Sequence, residues 1–386
     1  MVNQNVSSDQ AGKSSTQNNE AILTLDEAVN SAIENSYDIS INKQKVEMLE
    51  EKRDFYKDAG NDDDMKSFDD LIDIFYDLAR IQHGQADQNE TFLEDKVRKE
   101  VTTQYNSIVI AEKELEQINK NIEVTNIDYE NVQLKKTLGL SIDTDVQSAQ
   151  LDVEKLKNQK KSKEEAIKGY RDILSILIGK DVDNYALEDK IQYKPLVIEG
   201  SIDDYMDEKI DTYLMYQKKM VEWNEDNEED TNKEPSEPKI GDYTTYIDKT
   251  NDDGTITKVP QVDSKAYATA MASYISGYGT YLENQYTTDT SLDNYNSGKR
   301  KLKQSMITMN ASLKDLETQI DTLQKTLDLT KKQMDNLKAM CDVGLQPIQD
   351  YNKQVLNVKN VEINLSKLID SYNTLKTGIQ EPWTLQ

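Results

Sequence analysis

The 386-residue chain reads as an all-α, elongated protein built on two internally repeated, long antiparallel coiled-coil helical hairpins, with at most one small β-hairpin. Three observations predict this. Only 36% of the residues are hydrophobic and 31% are charged, which suits helices that bury a narrow stripe and expose the rest. Apolar residues recur at alternating steps of four and three, the period of a left-handed coiled-coil seam. The whole pattern then occurs twice, each copy broken once at a glycine.

The first seam runs Val97, Val101, Gln104, Ile108, Ala111, Leu115, Ile118, Ile122, Thr125, Tyr129 and Val132. Adding 205 to each number gives Leu302, Met306, Met309, Leu313, Leu316, Ile320, Leu323, Leu327, Thr330, Met334 and Leu337. Both seams lead to a Gly-Leu pair, Gly139-Leu140 and Gly344-Leu345, and Asp145 corresponds to Asp350. The period resumes at Val146, Ala149 and Val153 in one copy and at Tyr351, Gln354 and Val358 in the other. Glycine commonly ends a helix in a left-handed turn. Pro347 suits the first turn of a returning helix, and Ser141 is placed to cap the other one. The spacing therefore predicts αα-hairpins over 93–178 and 298–379, with arms about 50–70 Å long.

Each hairpin follows a shorter helix. Thr24 and Glu27 have capping-box spacing before LDEAVNSAIENS, and Ser201 and Asp204 repeat that spacing. Between these helices and the hairpins, 58–70 reads as an acidic loop, 71–81 as a short helix and His83 as a loop residue. Segment 222–262 reads as an acidic, mobile insertion. Within it, alternation around Asp253-Gly254 predicts a β-hairpin over 242–259. Residues 266–286, rich in Tyr and Ala, form a separate helix candidate. The first 20 residues have no apolar core of a signal peptide and read as a disordered tether. The chain thus divides into a tether (1–20), a first structural repeat (21–200) and a second (201–386).

A net charge of -26 argues against nucleic acid and against an anionic membrane surface as partners. One cysteine, Cys341, excludes an internal disulfide, and one histidine, His83, leaves thiol–imidazole and zinc chemistry poorly supplied. The stretch TNDDGTITK fails the calcium-loop spacing, because Lys249 would be the first ligand. No phosphate-cradling glycine motif occurs. No catalytic, cofactor-binding or metal-binding residue is expected, nor an enzyme. No stretch reaches the roughly 20 apolar residues of a spanning helix.

The motifs TLGLSIDTDVQSAQLDVEKL and DVGLQPIQDYNKQVLNVKN, each after a long helix and repeated in the same order, resemble those of the TolC-like outer-membrane efflux family. The resemblance covers most of 21–386. It implies a homotrimer whose helices close a hollow α-barrel, capped by a membrane β-barrel. It also implies that the hairpin turns form a rim where a membrane-fusion adaptor of an export pump docks. On this chain the rim maps to Gly139, Leu140, Ser141 and Asp145, and to Gly344, Leu345, Gln346 and Asp350.

The chain departs from the family where membrane strands belong. The first such slot, 51–92, has no alternating strands, and the second offers one polar hairpin. Two strands from each of three copies fall short of the roughly eight that a membrane barrel needs. The expectation is therefore an exported component of the bacterial cell envelope, forming a passive conduit or spacer without direct membrane insertion. The alternative is a non-transport, structural or interaction coiled-coil protein folded as a closed bundle. A closed bundle needs one apolar stripe per helix, whereas a curved wall needs two flanks. The first hairpin carries a second apolar set (Tyr105, Val109, Val124, Ile127, Leu134, Leu151, Ile173), and the second has fewer such residues.

Overall fold

The structure, a computed structural model, describes residues 21–385. The tether expected over 1–20 lies outside the described residues. The chain order is β1 (Ala21–Leu23), α1 (Leu25–Asn35), α2 (Tyr37–Ala59), α3 (Asp69–Thr137), α4 (Asp143–Ile178), β2 (Tyr185–Leu187), α5 (Ile202–Asp226), α6 (Glu228–Thr231), β3 (Thr244–Thr250), β4 (Ile256–Val262), α7 (Ser264–Asp342) and α8 (Ile348–Gln380). The fold is all-α apart from two two-stranded sheets. One is the expected hairpin, β3 against β4, with Ile247 opposite Val259. The other, absent from the sequence reading, is a parallel pair of three-residue strands, β1 with β2.

The return arms end at Ile178 and Gln380, within a residue of the expected limits. The outgoing arms are longer than expected. α3 absorbs the short helix expected over 71–81, and His83 is helical rather than in a loop. Gly84 does not break α3, because it is a packing glycine: a Cβ there would lie 2.3 Å from Oη of Tyr216 on α5. α7 likewise fuses the helix expected over 266–286 with the second outgoing arm. The acidic stretch 58–70 is mostly the end of α2 and a 3-10 turn (Asp63–Phe68), whose cap is the Asp62 side chain accepting from the Asp64 N–H. Segment 222–262 holds the end of α5, α6, a 3-10 turn (Ile240–Tyr243) and the β-hairpin.

At the start of α1 the capping box is complete: Thr24 Oγ1 accepts from the Glu27 N–H, and Glu27 Oε2 accepts from the Thr24 N–H. Ser201 caps α5, but its hydroxyl accepts from the Asp203 N–H, two residues on, not as a box with Asp204.

The chain packs as two compact units, and α3, α7 and α8 contribute segments to both. The first contains residues 21–36, 97–193 and 319–370. Its core gathers Leu23, Val29, Val101, Ile108, Leu174 and Val182. The Tyr105 hydroxyl donates to the Leu23 carbonyl at 2.7 Å and accepts from the Glu188 N–H at 2.8 Å, tying β1 and the end of β2 to α3. Burial pushes that phenol up to about 12.

In this unit the helices lie in the order α4, α3, α8, α7. Arg171 and Lys163 of α4 pair with Glu112 and Glu114 of α3 at 2.7 and 2.6 Å. On α3's other flank, Asn106 donates to Asp370 of α8 at 2.6 Å and Glu116 pairs with Lys359 at 2.6 Å. α8 reaches α7 through Glu362–Lys331 at 2.7 Å and through Gln354, which donates to the Thr330 carbonyl at 3.2 Å. α3 and α8 are therefore covered on two flanks. α4 buries one seam (Val153, Ile167, Leu174, Ile178), and α7 buries Ile320 and Thr330 on one seam.

The second unit contains residues 37–96, 194–318 and 371–385. Asn42 of α2 donates to the Ala86 carbonyl of α3 at 2.8 Å. Lys299 and Lys303 of α7 pair with Asp211 and Asp207 of α5. The last turn (Pro382–Leu385) anchors here: Trp383 stacks on Phe92 at 4.4 Å and donates to Asp95 at 3.0 Å.

Candidate docking site at the hairpin turns

Both hairpin turns belong to the first unit and share one backbone solution. Gly139 and Gly344 have φ of 73° and 75°. The Leu140 N–H donates to the Lys135 carbonyl at 2.8 Å, and the Gly139 N–H to the Lys136 carbonyl at 2.9 Å. The Leu345 N–H donates to the Met340 carbonyl at 2.9 Å, and the Gly344 N–H to the Cys341 carbonyl at 3.0 Å. This paired closure satisfies the last carbonyls of a helix and requires the left-handed residue that glycine supplies.

In this closure the residue after the glycine commonly folds back on the helix. Here it does not: Leu140 and Leu345 are 74% and 70% exposed. They do not plug the hairpin ends. Leu138 and Ile142 beside the first, and Val343 and Ile348 beside the second, are exposed as well. Each turn is thus an apolar cap standing in water. The sequence reading named the leucines and missed these flanking residues. Their signal is the alternation in TLGLSI and DVGLQPI.

The polar residues fix the helix starts differently from expectation. Ser141 is not an N-cap acceptor. Its hydroxyl donates to Asp145 Oδ2 at 2.8 Å, and the Ile142 N–H donates to the same oxygen at 3.1 Å. The cap residue is Ile142, which has no acceptor, so the third helical residue supplies the oxygen instead. These bonds, the backbone one first, hold the Asp145 carboxyl below its usual range. Asp350 occupies the same third position of α8, its N–H donating to the Pro347 carbonyl at 3.0 Å. Pro347 stands just before α8, not inside its first turn. Gln346 lies between Leu345 and Pro347 in the turn. Lys136 pairs with Asp143 across the first turn, and the Cys341 thiol donates to the Pro347 carbonyl at 3.3 Å across the second. The structure places all eight expected residues at the two turns. Among the described residues, no hydrogen bond or ion pair joins one turn to the other, so each is closed by its own chain.

Away from the turns, a concavity of the same unit, about 650 Å³, lies between α3, α8 and the strand-following segment 189–192. Its walls mix Glu112, Glu116, Asp189 and Glu362 with Lys113, Lys190 and Lys359 over Val109, Ile363 and Ile369. Burial lowers the Lys113 amine, which donates to Ser366 at 3.2 Å. Acid and base alternate along this wall, which presents no charge of one sign to a ligand.

No protein-family profile matches the chain, and no curated protein matches it. Solved structures do. A membrane protein from Pseudomonas aeruginosa matches over 93% of both chains, with a TM-score of 0.58 and 10% identity. The Campylobacter jejuni CmeC outer membrane channel matches over 93% of this chain and 85% of its own, with a TM-score of 0.55 and 13% identity. The Neisseria gonorrhoeae MtrE outer membrane channel, in its open state, matches over 93% and 88%, with a TM-score of 0.59 and 10% identity. At such identities the likeness is one of fold, and the fold of this chain is the TolC-like fold of those outer-membrane channels.

Proposed function

We propose that the chain is a TolC-like component of an envelope export or efflux assembly. In this reading it contributes a segment of a passive conduit wall and docks a membrane-fusion adaptor through its hairpin turns. The observation that carries the reading is the pair of matched glycine closures that leave Leu140 and Leu345 in water. Exposed leucines among other apolar side chains are anchors for a partner's helical tip, and their burial by a partner offsets the cost of leaving them out.

The helix order in the first unit supports a wall over a closed bundle. A middle helix covered on two flanks is what a curved layer needs. The edge helices keep apolar residues for neighbours: Leu151, Ile173 and Ile176 on α4, and Leu329 on α7. Three copies joined along those edges would close a conduit lined by polar faces, with transport energy coming from the pump. In this reading the structural repeats are 21–200 and 201–386.

We further propose that the protein sits in the extracytoplasmic envelope without inserting directly in the membrane. Among the described residues, no helix is long and apolar enough to cross a membrane. Residues 37–96, which include the first slot for membrane strands, hold α2, a 3-10 turn and the start of α3. Two strands of seven residues per copy are fewer than a barrel of about eight requires, even from three copies.

The test is the double substitution Leu140→Asp with Leu345→Asp, followed by titration against a purified membrane-fusion adaptor. Adaptor affinity is expected to fall at least tenfold while helical content and the melting midpoint stay within error. Unchanged affinity would remove the docking role.

A further inference from the structure

Among the described residues the β3–β4 hairpin is the one sheet in the second unit, and its side chains have almost no cover. Apart from Thr244, every residue of both strands is exposed, including Tyr246, Ile247, Ile256 and Val259. Two antiparallel strands alone are marginal in water, and their edges are templates for further pairing. The question is which edge is open, and to what.

The ladder answers the first part. The Asp263 N–H donates to the Tyr243 carbonyl at 2.9 Å, and the Asn251 N–H to the Thr255 carbonyl at 2.8 Å. Antiparallel pairs alternate between bonded and non-bonded. Between those two limits, the bonded pairs are therefore Thr245–Gln261, Ile247–Val259 and Lys249–Thr257. The intervening residues turn their N–H and C=O groups outward. On β4 these are Ile256, Lys258, Pro260 and Val262, and Pro260 has no N–H to give, so this edge is interrupted at its centre. On β3 they are Thr244, Tyr246, Asp248 and Thr250. The Thr244 N–H is already given to the Gly241 carbonyl at the end of the 3-10 turn, but its carbonyl and both groups of Tyr246, Asp248 and Thr250 face outward, so this edge is intact through its centre.

We propose that the β3 edge pairs with the β3 edge of a second copy of this chain, making a four-stranded antiparallel sheet about a twofold axis. The occupant follows from self-complementarity. A register that uses all four outward residues sets Thr244 against the partner copy's Thr250 and Tyr246 against its Asp248. That register places Ile247 against Ile247 at the axis, as a non-bonded pair in which side chains approach most closely. Val259 then flanks each isoleucine, and four apolar side chains cover one another on one face. The shift that would centre on Asp248 instead opposes two carboxylates and leaves an outward residue of each strand unpaired. Each Asp248 already faces Lys258 across its own hairpin, so the chosen register brings no uncompensated charge. This contact is independent of the hairpin turns and of what docks there.

The experiment uses the full chain with Cys341→Ala and a single new cysteine. Ile247→Cys is expected to form a disulfide-linked dimer under mild oxidation, because only a twofold contact brings one residue against its own copy. Lys258→Cys, on the interrupted edge, is expected to form no disulfide-linked dimer under the same conditions. As a second readout, Tyr246→Pro removes an outward donor without touching the internal ladder. It should weaken dimerisation at least tenfold in sedimentation, with far-ultraviolet dichroism unchanged. Failure of Ile247→Cys to cross-link would overturn the proposal. So would cross-linking of Lys258→Cys at an equal or faster rate, the result for copies joined β3 to β4 or for non-specific collision. Dimerisation indifferent to Tyr246→Pro would do the same.

Discussion

At Gly139 and Gly344 a side chain would meet nothing within 4 Å, so the cost of adding one is conformational alone. Gly139→Ala should lower stability by about 1–2 kcal/mol, the penalty for a left-handed L-residue, and Gly344→Ala should do the same. Chemical denaturation of each variant checks this. Equal losses are expected, since the two φ values differ by only a few degrees. Gly179 is the contrasting case. It too is left-handed, but a Cβ there would sit 2.8 Å from Oδ1 of Asn35, whose amide donates to the Ile176 and Leu177 carbonyls. That amide closes the C-terminus of α4 from a residue more than a hundred positions away. The pairing of Asn35 with Gly179 was illegible because neither residue carries a periodic signal. Ser141 was misassigned for a different reason. Serine can accept at a helix start, but here the oxygen of Asp145 takes that role and leaves the hydroxyl to donate.

Among the helices, the heptads carried most of the information. A 3.5-residue period survives any detail of packing, so both hairpins, their turns and their C-terminal limits were legible. The second apolar set on the first hairpin also divided in a useful way. Tyr105, Val109 and Val124, on a middle helix, are buried, Ile127 and Leu134 further along that helix towards its turn are exposed, and so are Leu151 and Ile173 on an edge helix. What could not be read was continuity. Gly84 punctuates a sequence and not this helix, because the partner that fills its empty face comes from α5. The β1–β2 pair joins residues 164 apart, Ala21 with Tyr185, and three-residue strands leave no pattern. One residue binds three elements of the layer together. Glu114 on α3 accepts from Lys163 on α4 at 2.6 Å and from Lys367 on α8 at 2.5 Å. Burial raises its carboxyl, but those two bonds outweigh burial and hold it below its usual range. A lowered carboxylate contributes stability above its unfolded value, near 4.5, and loses it as pH falls through the folded one. Glu114→Gln should therefore destabilise at pH 7 by about 1 kcal/mol, allowing for the partial exposure of the lysines. Melting curves of both proteins across pH should converge as pH falls below 4.

For the whole molecule, the open question of the sequence was closed bundle or wall. The first unit is a layer with two covered helices and two edges that keep leucines and isoleucines exposed. A layer of that kind is incomplete as one chain, and the proposed conduit completes it with further copies. The most direct test is the molar mass of the Tyr246→Pro chain by light scattering over a concentration series, since that variant removes the proposed twofold hairpin contact. A mass rising to three chains is the predicted result, with α4 of one copy against α7 of the next. A single-chain mass at every concentration would contradict it and return the helices to a closed, solitary bundle.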